Sequence, residues 1–132
     1  MKIARFEHEI GYLRCELEAY NTLLQGEFTG APKFYGYVYE ETKDRVIGFL
    51  MEYLQGVHPH EHDLPQCERL LQRMHDCGLI HRDPNRYNWI KTRDGIRIFD
   101  FEMAKQKTPQ LAKDALDSLL NHLRDQSGIG SR

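Results

Sequence analysis

Asp83, Asn88 and Asp100 carry side-chain oxygen donors and stand where short apolar runs meet loops. Leu79-Ile80 leads into the loop of Asp83, Trp89-Ile90 leaves Asn88, and Ile96-Arg-Ile-Phe99 delivers Asp100. Between the last two runs lies Thr92-Arg-Asp-Gly95, and an Asp-Gly pair in that setting signals a two-residue β-hairpin. A hairpin there folds the chain back and brings Asn88, at the start of one strand, near Asp100, at the end of the other. Two carboxylates and an amide oxygen then share a small volume. Hard oxygen donors of this kind suit Mg²⁺, which keeps several waters and takes one or two protein ligands together with substrate phosphates. The plainer alternative is a surface hairpin with ordinary loop carboxylates.

The same residues carry a family resemblance. His81-Arg-Asp83, with Asn88 five residues after the Asp, resembles the catalytic loop H-R-D-x-x-x-x-N of protein kinases. Asp100-Phe-Glu102 resembles their metal-binding D-F-G with the glycine replaced. The resemblance implies that Asp83 orients and deprotonates an acceptor hydroxyl, while Asn88 and Asp100 hold Mg²⁺ on the phosphates of ATP. It also implies that His81 braces the loop.

These loops need elements to position them. Residues 7 to 25 read as an amphipathic helix, with Ile10, Leu13, Leu17, Tyr20 and Leu24 at three- and four-residue steps and Gly26 as its C-terminal cap. Glu16 falls on that apolar face, where a carboxylate is costly unless something positive meets it. By the resemblance it is the glutamate of the small-lobe helix, paired with Lys2 as the strand lysine. The alternatives are a head group that reaches water, or Glu18 in its place on a rotated helix.

Phe34-Tyr-Gly-Tyr-Val-Tyr39 and Arg45-Val-Ile-Gly-Phe-Leu-Met51 read as two strands joined by a polar turn. The resemblance makes the second one the strand that runs into the hinge. Met51 would then sit behind an adenine pocket, and the backbone of Glu52 and Leu54 would bond the adenine edge; plain core is the other reading. His58-Pro-His-Glu-His62 reads as a solvated loop, because Pro59 and Pro65 spoil the regular alternation that a strand of metal ligands needs. A helix follows from about Leu64 to Cys77, with Asp63 as cap, Pro65 in its first turn, and Leu70, Leu71 and Met74 as the buried stripe. His75 on it is expected to pack and hydrogen-bond. Leu111, Ala115, Leu116, Leu119, Leu120 and Leu123 mark a last amphipathic helix.

Departures from the family pattern bear on activity. No glycine-rich loop precedes Lys2, Glu102 adds a negative side chain beside the metal motif, and no lysine stands at position 85 to meet the transferred phosphate. Arg86 would substitute if it turned inward. The short ending resembles aminoglycoside-phosphotransferase-type and other small kinase-like proteins, including uncharacterised fungal ones.

A chain of 132 residues with 40% hydrophobic and 11% aromatic content suffices for one globular domain. A formal net charge of -2 argues against a nucleic-acid footprint, and no apolar run is long enough to span a membrane. Cys67 and Cys77 lie about 15 Å apart on one expected helix, too far to bridge. With Cys15 they fit a reducing, cytoplasmic setting.

The expectation is an α+β, protein kinase-like fold over 1–132, with a truncated small lobe and hinge at 1–56 and a minimal helical large lobe at 57–132. The expected function is an ATP- and Mg²⁺-dependent phosphotransferase acting on a hydroxyl of a protein or small molecule, weak in this truncated form. The alternative from another class is a catalytically inactive pseudokinase, a nucleotide-binding scaffold or a fragment of a longer kinase-like protein. The expected partners are a nucleotide, the hydroxyl-bearing acceptor, and a partner chain that completes the small lobe.

Overall fold

The computed structural model describes residues 2–3, 7–39 and 46–124, with backbone alone at 2–3 and 7–10. Within them the fold is α+β. In chain order it runs β1 (Lys2–Ile3), α1 (Glu7–Gln25), β2 (Phe34–Tyr39), β3 (Val46–Met51), α2 (Leu64–Asp76), β4 (Leu79–Ile80), β5 (Trp89–Thr92), β6 (Gly95–Ile98), β7 (Lys105–Gln106) and α3 (Pro109–Arg124). β1, β3 and β2 form one antiparallel sheet in that order, and β4–β7 and β5–β6 form two-stranded antiparallel ladders.

α1 lies where its periodicity puts it, but rotated from the expected stripe. Leu13, Glu16, Tyr20 and Leu23 are buried, while Leu24 is 61% exposed. The side chain of Ile10 lies outside the described residues. The helix ends in a Schellman motif: the Phe28 N–H donates to the Leu23 carbonyl and the Glu27 N–H to that of Leu24. The left-handed residue is Glu27, at φ 58°, rather than Gly26. Gly26 is wanted for another reason, since a Cβ there would meet Cys77 Sγ at 2.5 Å.

β3 is the central strand of its sheet and delivers Phe49, fully buried, against α1. The ring of Tyr20 meets Phe34, Phe49 and Phe101 at centroid distances of 5.9, 5.4 and 5.2 Å, so the helix, the sheet and the loop after β6 share one aromatic cluster. That cluster merges with Leu70, Leu71 and Met74 of α2 and with Leu119 and Leu123 of α3, giving one contiguous apolar core among the described residues.

α2 starts and ends as its signals direct, but Asp63 does not cap it. The Asp63 carboxylate instead accepts Lys91 Nζ at 2.9 Å and the His60 N–H at 3.0 Å. Burial alone would raise its pKa, yet the His60 N–H and the Lys91 ammonium outweigh that and hold it below the ordinary value. This pins the segment before α2 to β5. Gly56 allows the approach, since a Cβ there would sit 2.1 Å from the Lys91 carbonyl oxygen. α3 opens on Thr108, whose Oγ1 accepts the Leu111 N–H at 3.2 Å, with Pro109 in the first turn.

Candidate functional site

Leu79 and Ile80 are buried in β4, so the chain enters the next loop from a fixed strand. His81 follows at 1% exposure and bonds in two directions. Its Nε2–H donates to the Phe99 carbonyl at 2.8 Å, and its Nδ1 accepts the Asp83 N–H at 3.1 Å. Both bonds are satisfied by one neutral tautomer, and burial lowers the pKa in the same sense. His81 thus braces the loop of Asp83 against the residue preceding Asp100.

The Asp83 carboxylate is held by its neighbours. Asn85 Nδ2 donates to its Oδ1 at 2.9 Å, and Asn88 Nδ2 donates to the Asp83 carbonyl at 2.8 Å. Asn85 is itself fixed, because its Oδ1 accepts the Tyr87 N–H at 2.9 Å and opens the short 3₁₀ turn Arg86–Asn88. Trp89 locks the base of the loop, its indole N–H donating to the Pro84 carbonyl at 3.1 Å. Arg82, between these anchors, takes φ 74°.

The hairpin forms with Trp89 opposite Ile98 and Thr92 opposite Gly95. Its two-residue turn is Arg93-Asp94, one position earlier than the Asp-Gly signal suggests. Thr92 Oγ1 accepts the Asp94 N–H and donates to the Gly95 carbonyl, which closes the reversal. At the other end the Phe99 N–H donates to the Asn88 carbonyl at 2.9 Å, so the ladder carries Asn88 to the strand that delivers Asp100. Asp100 stands at φ 62°, a left-handed conformation that costs a non-glycine residue energy and concentrates at functional loops.

Asn88 spends its NH₂ on Asp83, so its amide oxygen and the Asp100 carboxylate are the oxygen donors that these two residues could offer a cation. That donor set fits Mg²⁺, for which one or two protein oxygens suffice. Among the described residues no group of three His, Cys, Asp or Glu side chains is arranged to hold a metal. In the 58–62 segment, His58 donates to the Trp89 carbonyl at 2.8 Å, while His60 and His62 stack on each other.

α1 reaches this site through Glu16. Its carboxylate is 1% exposed and accepts the Phe101 N–H at 2.8 Å, whereas Glu18 faces solvent. Of the two, Glu16 is the one that faces the core. Phe101 also stands edge-on to Tyr20 and to His81, with centroids at 5.2 and 5.5 Å. Cys15 adds a contact from its thiol to the Ala104 carbonyl at 3.1 Å. The Lys2 strand is antiparallel to β3, with Lys2 opposite Phe49, but the Lys2 side chain lies outside the described residues.

At the end of β3, Met51 Sδ accepts the Tyr20 hydroxyl at 3.7 Å. The Glu52 N–H is committed to the Lys33 carbonyl at 2.8 Å, so of its two backbone groups that one is not available for the expected bond to an adenine edge. Leu54 is half-buried. Two features escape sequence reasoning. Arg97 Nη2 reaches Glu52 Oε1 at 2.7 Å, and β7 is two exposed polar residues that pair with β4. Arg86 does not turn toward Asp83: its Nε donates to the Pro59 carbonyl at 2.9 Å and its Nη1 to the Tyr87 hydroxyl at 3.2 Å.

No protein-family model matches the chain, and no curated protein matches it.

Proposed function

We propose that the chain is a protein kinase-like phosphotransferase that binds ATP with Mg²⁺ and moves the terminal phosphoryl group to a hydroxyl of a small molecule or protein. The observation that carries this reading is the joint arrangement of Asp83, Asn88 and Asp100. The first is held by Asn85 and His81, and the other two are joined through the Phe99–Asn88 bond of one hairpin. In this reading Asp83 takes the proton of the acceptor hydroxyl, and Asn88 and Asp100 hold the metal. When bound, Mg²⁺ would neutralise charge on the phosphates. Met51 closes the back of the adenine site, and the backbone of Glu52 and Leu54 meets the adenine edge. Glu16 fixes the loop of Phe101, and Lys2 is its proposed cationic partner.

A second reading, a nucleotide-binding scaffold without transfer, is favoured by Arg86. With that guanidinium bonded to Pro59 and Tyr87, Arg86 does not bring its charge beside Asp83 to a transferring phosphate. Phosphoryl transfer is chiefly positioning and charge stabilisation, so the rate is expected to be slow. The deciding experiment is single-turnover transfer from labelled ATP with Mg²⁺, against candidate hydroxyl acceptors and water. Transfer abolished by Asp83→Ala supports the enzyme, and tight nucleotide binding with no transfer supports the scaffold. No nucleotide binding by the intact protein sinks both.

A further inference from the structure

Outside the loops of Asp83 and Asp100, Arg97, in β6 three residues before Asp100, makes two short hydrogen bonds to other segments of the chain. Its Nη2 donates to the Ala31 carbonyl at 2.6 Å and to Glu52 Oε1 at 2.7 Å. The same Oε1 accepts the Lys33 N–H at 3.1 Å, and the Glu52 N–H donates back to the Lys33 carbonyl at 2.8 Å. One residue along β6, the Ile98 N–H donates to the Gly30 carbonyl at 2.8 Å. Three segments distant in sequence are thereby joined: the 30–33 loop, the start of the segment after β3, and the strand that delivers Asp100. The Arg97 and Glu52 side chains are 18% and 25% exposed, so water screens the pair less than it would a surface pair.

We infer that Arg97 is a positioning residue for the nucleotide, holding the 52–54 segment at a fixed distance from Asp100. The inference rests on the kinase-like reading and adds to it the coupling between the two ends of its ligand. A nucleotide has a set length from its base edge to its phosphates. The backbone that would meet the base lies at 52–54, and the donors for the phosphates and metal lie at 88 and 100. Along the chain, residue 54 and Asn88 are separated by a loop, α2 and the loop of Asp83. The Arg97–Glu52 pair is a short bridge across that path. A misplacement of about 1 Å between such ends costs a factor of up to about 10² in a reaction that depends on alignment.

Arg97→Met keeps the apolar stem and removes the guanidinium, Arg97→Lys keeps the charge on a shorter side chain that lacks the reach of Nη2, and Glu52→Gln keeps an acceptor oxygen without the charge. Affinity for a non-hydrolysable ATP analogue with Mg²⁺ is measured by calorimetry at a temperature where circular dichroism shows each variant folded. Arg97→Met should weaken binding about tenfold, with Arg97→Lys and Glu52→Gln in between. A purely structural pair would lower the unfolding temperature and leave the affinity of the folded protein unchanged, and that result overturns the inference. If Arg97→Met does not fold, the other two variants decide on the same criterion. Should the unaltered protein bind no nucleotide, the kinase-like reading fails, and the coupling is judged by hydrogen exchange. Arg97→Met should then speed exchange at both 52–54 and 98–101, and a change on one side alone overturns it.

Discussion

The backbone N–H of Phe101 donates to the carboxylate of Glu16 across 2.8 Å inside the core. Residues far apart in the chain thus fix the pose of the loop that follows Asp100. A hydrogen bond to a charged acceptor is worth about 1.5–3 kcal/mol, and removing the acceptor leaves a buried donor unsatisfied. Glu16→Ala should therefore lower the unfolding free energy by about 2–3 kcal/mol in a urea titration. Glu16→Gln, which retains an oxygen for Phe101, should lose less. Equal losses would mean that the carboxylate's charge, and not the Phe101 bond, is what the site requires.

The metal assignment separates Asp100 from Asp83. Nucleotide should bind more tightly with Mg²⁺ than with EDTA, and Asp100→Ala should erase that difference. Asp83→Ala should leave most of the binding intact while abolishing turnover, because a base is needed for the proton and not for the phosphates. Equal loss of binding in both variants would show that these residues only hold the loop together.

Asn85 stands where a kinase-like loop would offer a cation, and it is fully engaged between Asp83 and the Tyr87 N–H. Asn85→Ala lets the Asp83 carboxylate rotate, so the turnover number should fall about tenfold or more while nucleotide affinity holds. Asn85→Asp sets a like charge beside Asp83 and should shift the acidic limb of the pH–rate profile upward. A profile that does not move would remove Asn85 from the site.

Two buried histidines predict an acid limb in stability. Neither ring nitrogen of His75 has a hydrogen-bond partner among the described residues, and burial, then the Lys107 ammonium, lower its pKa. Burial lowers that of His81 as well, against the pull of the Phe99 carbonyl and of Asp100 and Asp83. The folded protein therefore binds fewer protons than the unfolded chain once pH falls below the unfolded value of about 6.5. The stabilisation is complete above that pH and declines toward the lowered folded values, at up to about 1.4 kcal/mol per pH unit for each histidine. Urea midpoints between pH 8 and 5 test this, and His75→Phe should flatten the decline. A midpoint independent of pH would mean that the rings are protonated inside the fold.

Much of this architecture was legible in the sequence because it rests on local signals. The three helices follow from apolar spacing and from turn residues at their ends, and the hairpin from a reversal between two apolar runs. The strand pair 34–39 and 46–51 follows from aromatic and β-branched content. What was hidden depends on partners distant in the chain. The choice of Leu23 over Leu24 is set by the contacts α1 makes. Asp63 looked like a helix cap because its position suits one, and only the approach of Lys91 across the fold redirects it. Arg97 carries no local signal, because its partners come only from β6 lying beside the 30–33 loop and the segment after β3. For the site, the spacing of Asp83, Asn88 and Asp100 was readable. The roles of Asn85 and Arg86 were not, since each depends on which way a side chain turns.

Trp89 is the single tryptophan of the chain, fully buried, with its indole N–H on the Pro84 carbonyl. It lies immediately after Asn88 and under the loop of Asp83. The molecule therefore carries its own fluorophore at the base of the Asp83 loop. Native emission should be blue-shifted, and quenching or a red shift would report loosening of that loop without any attached dye. Nucleotide titrations, acid titrations and the variants above all become readable through one optical signal.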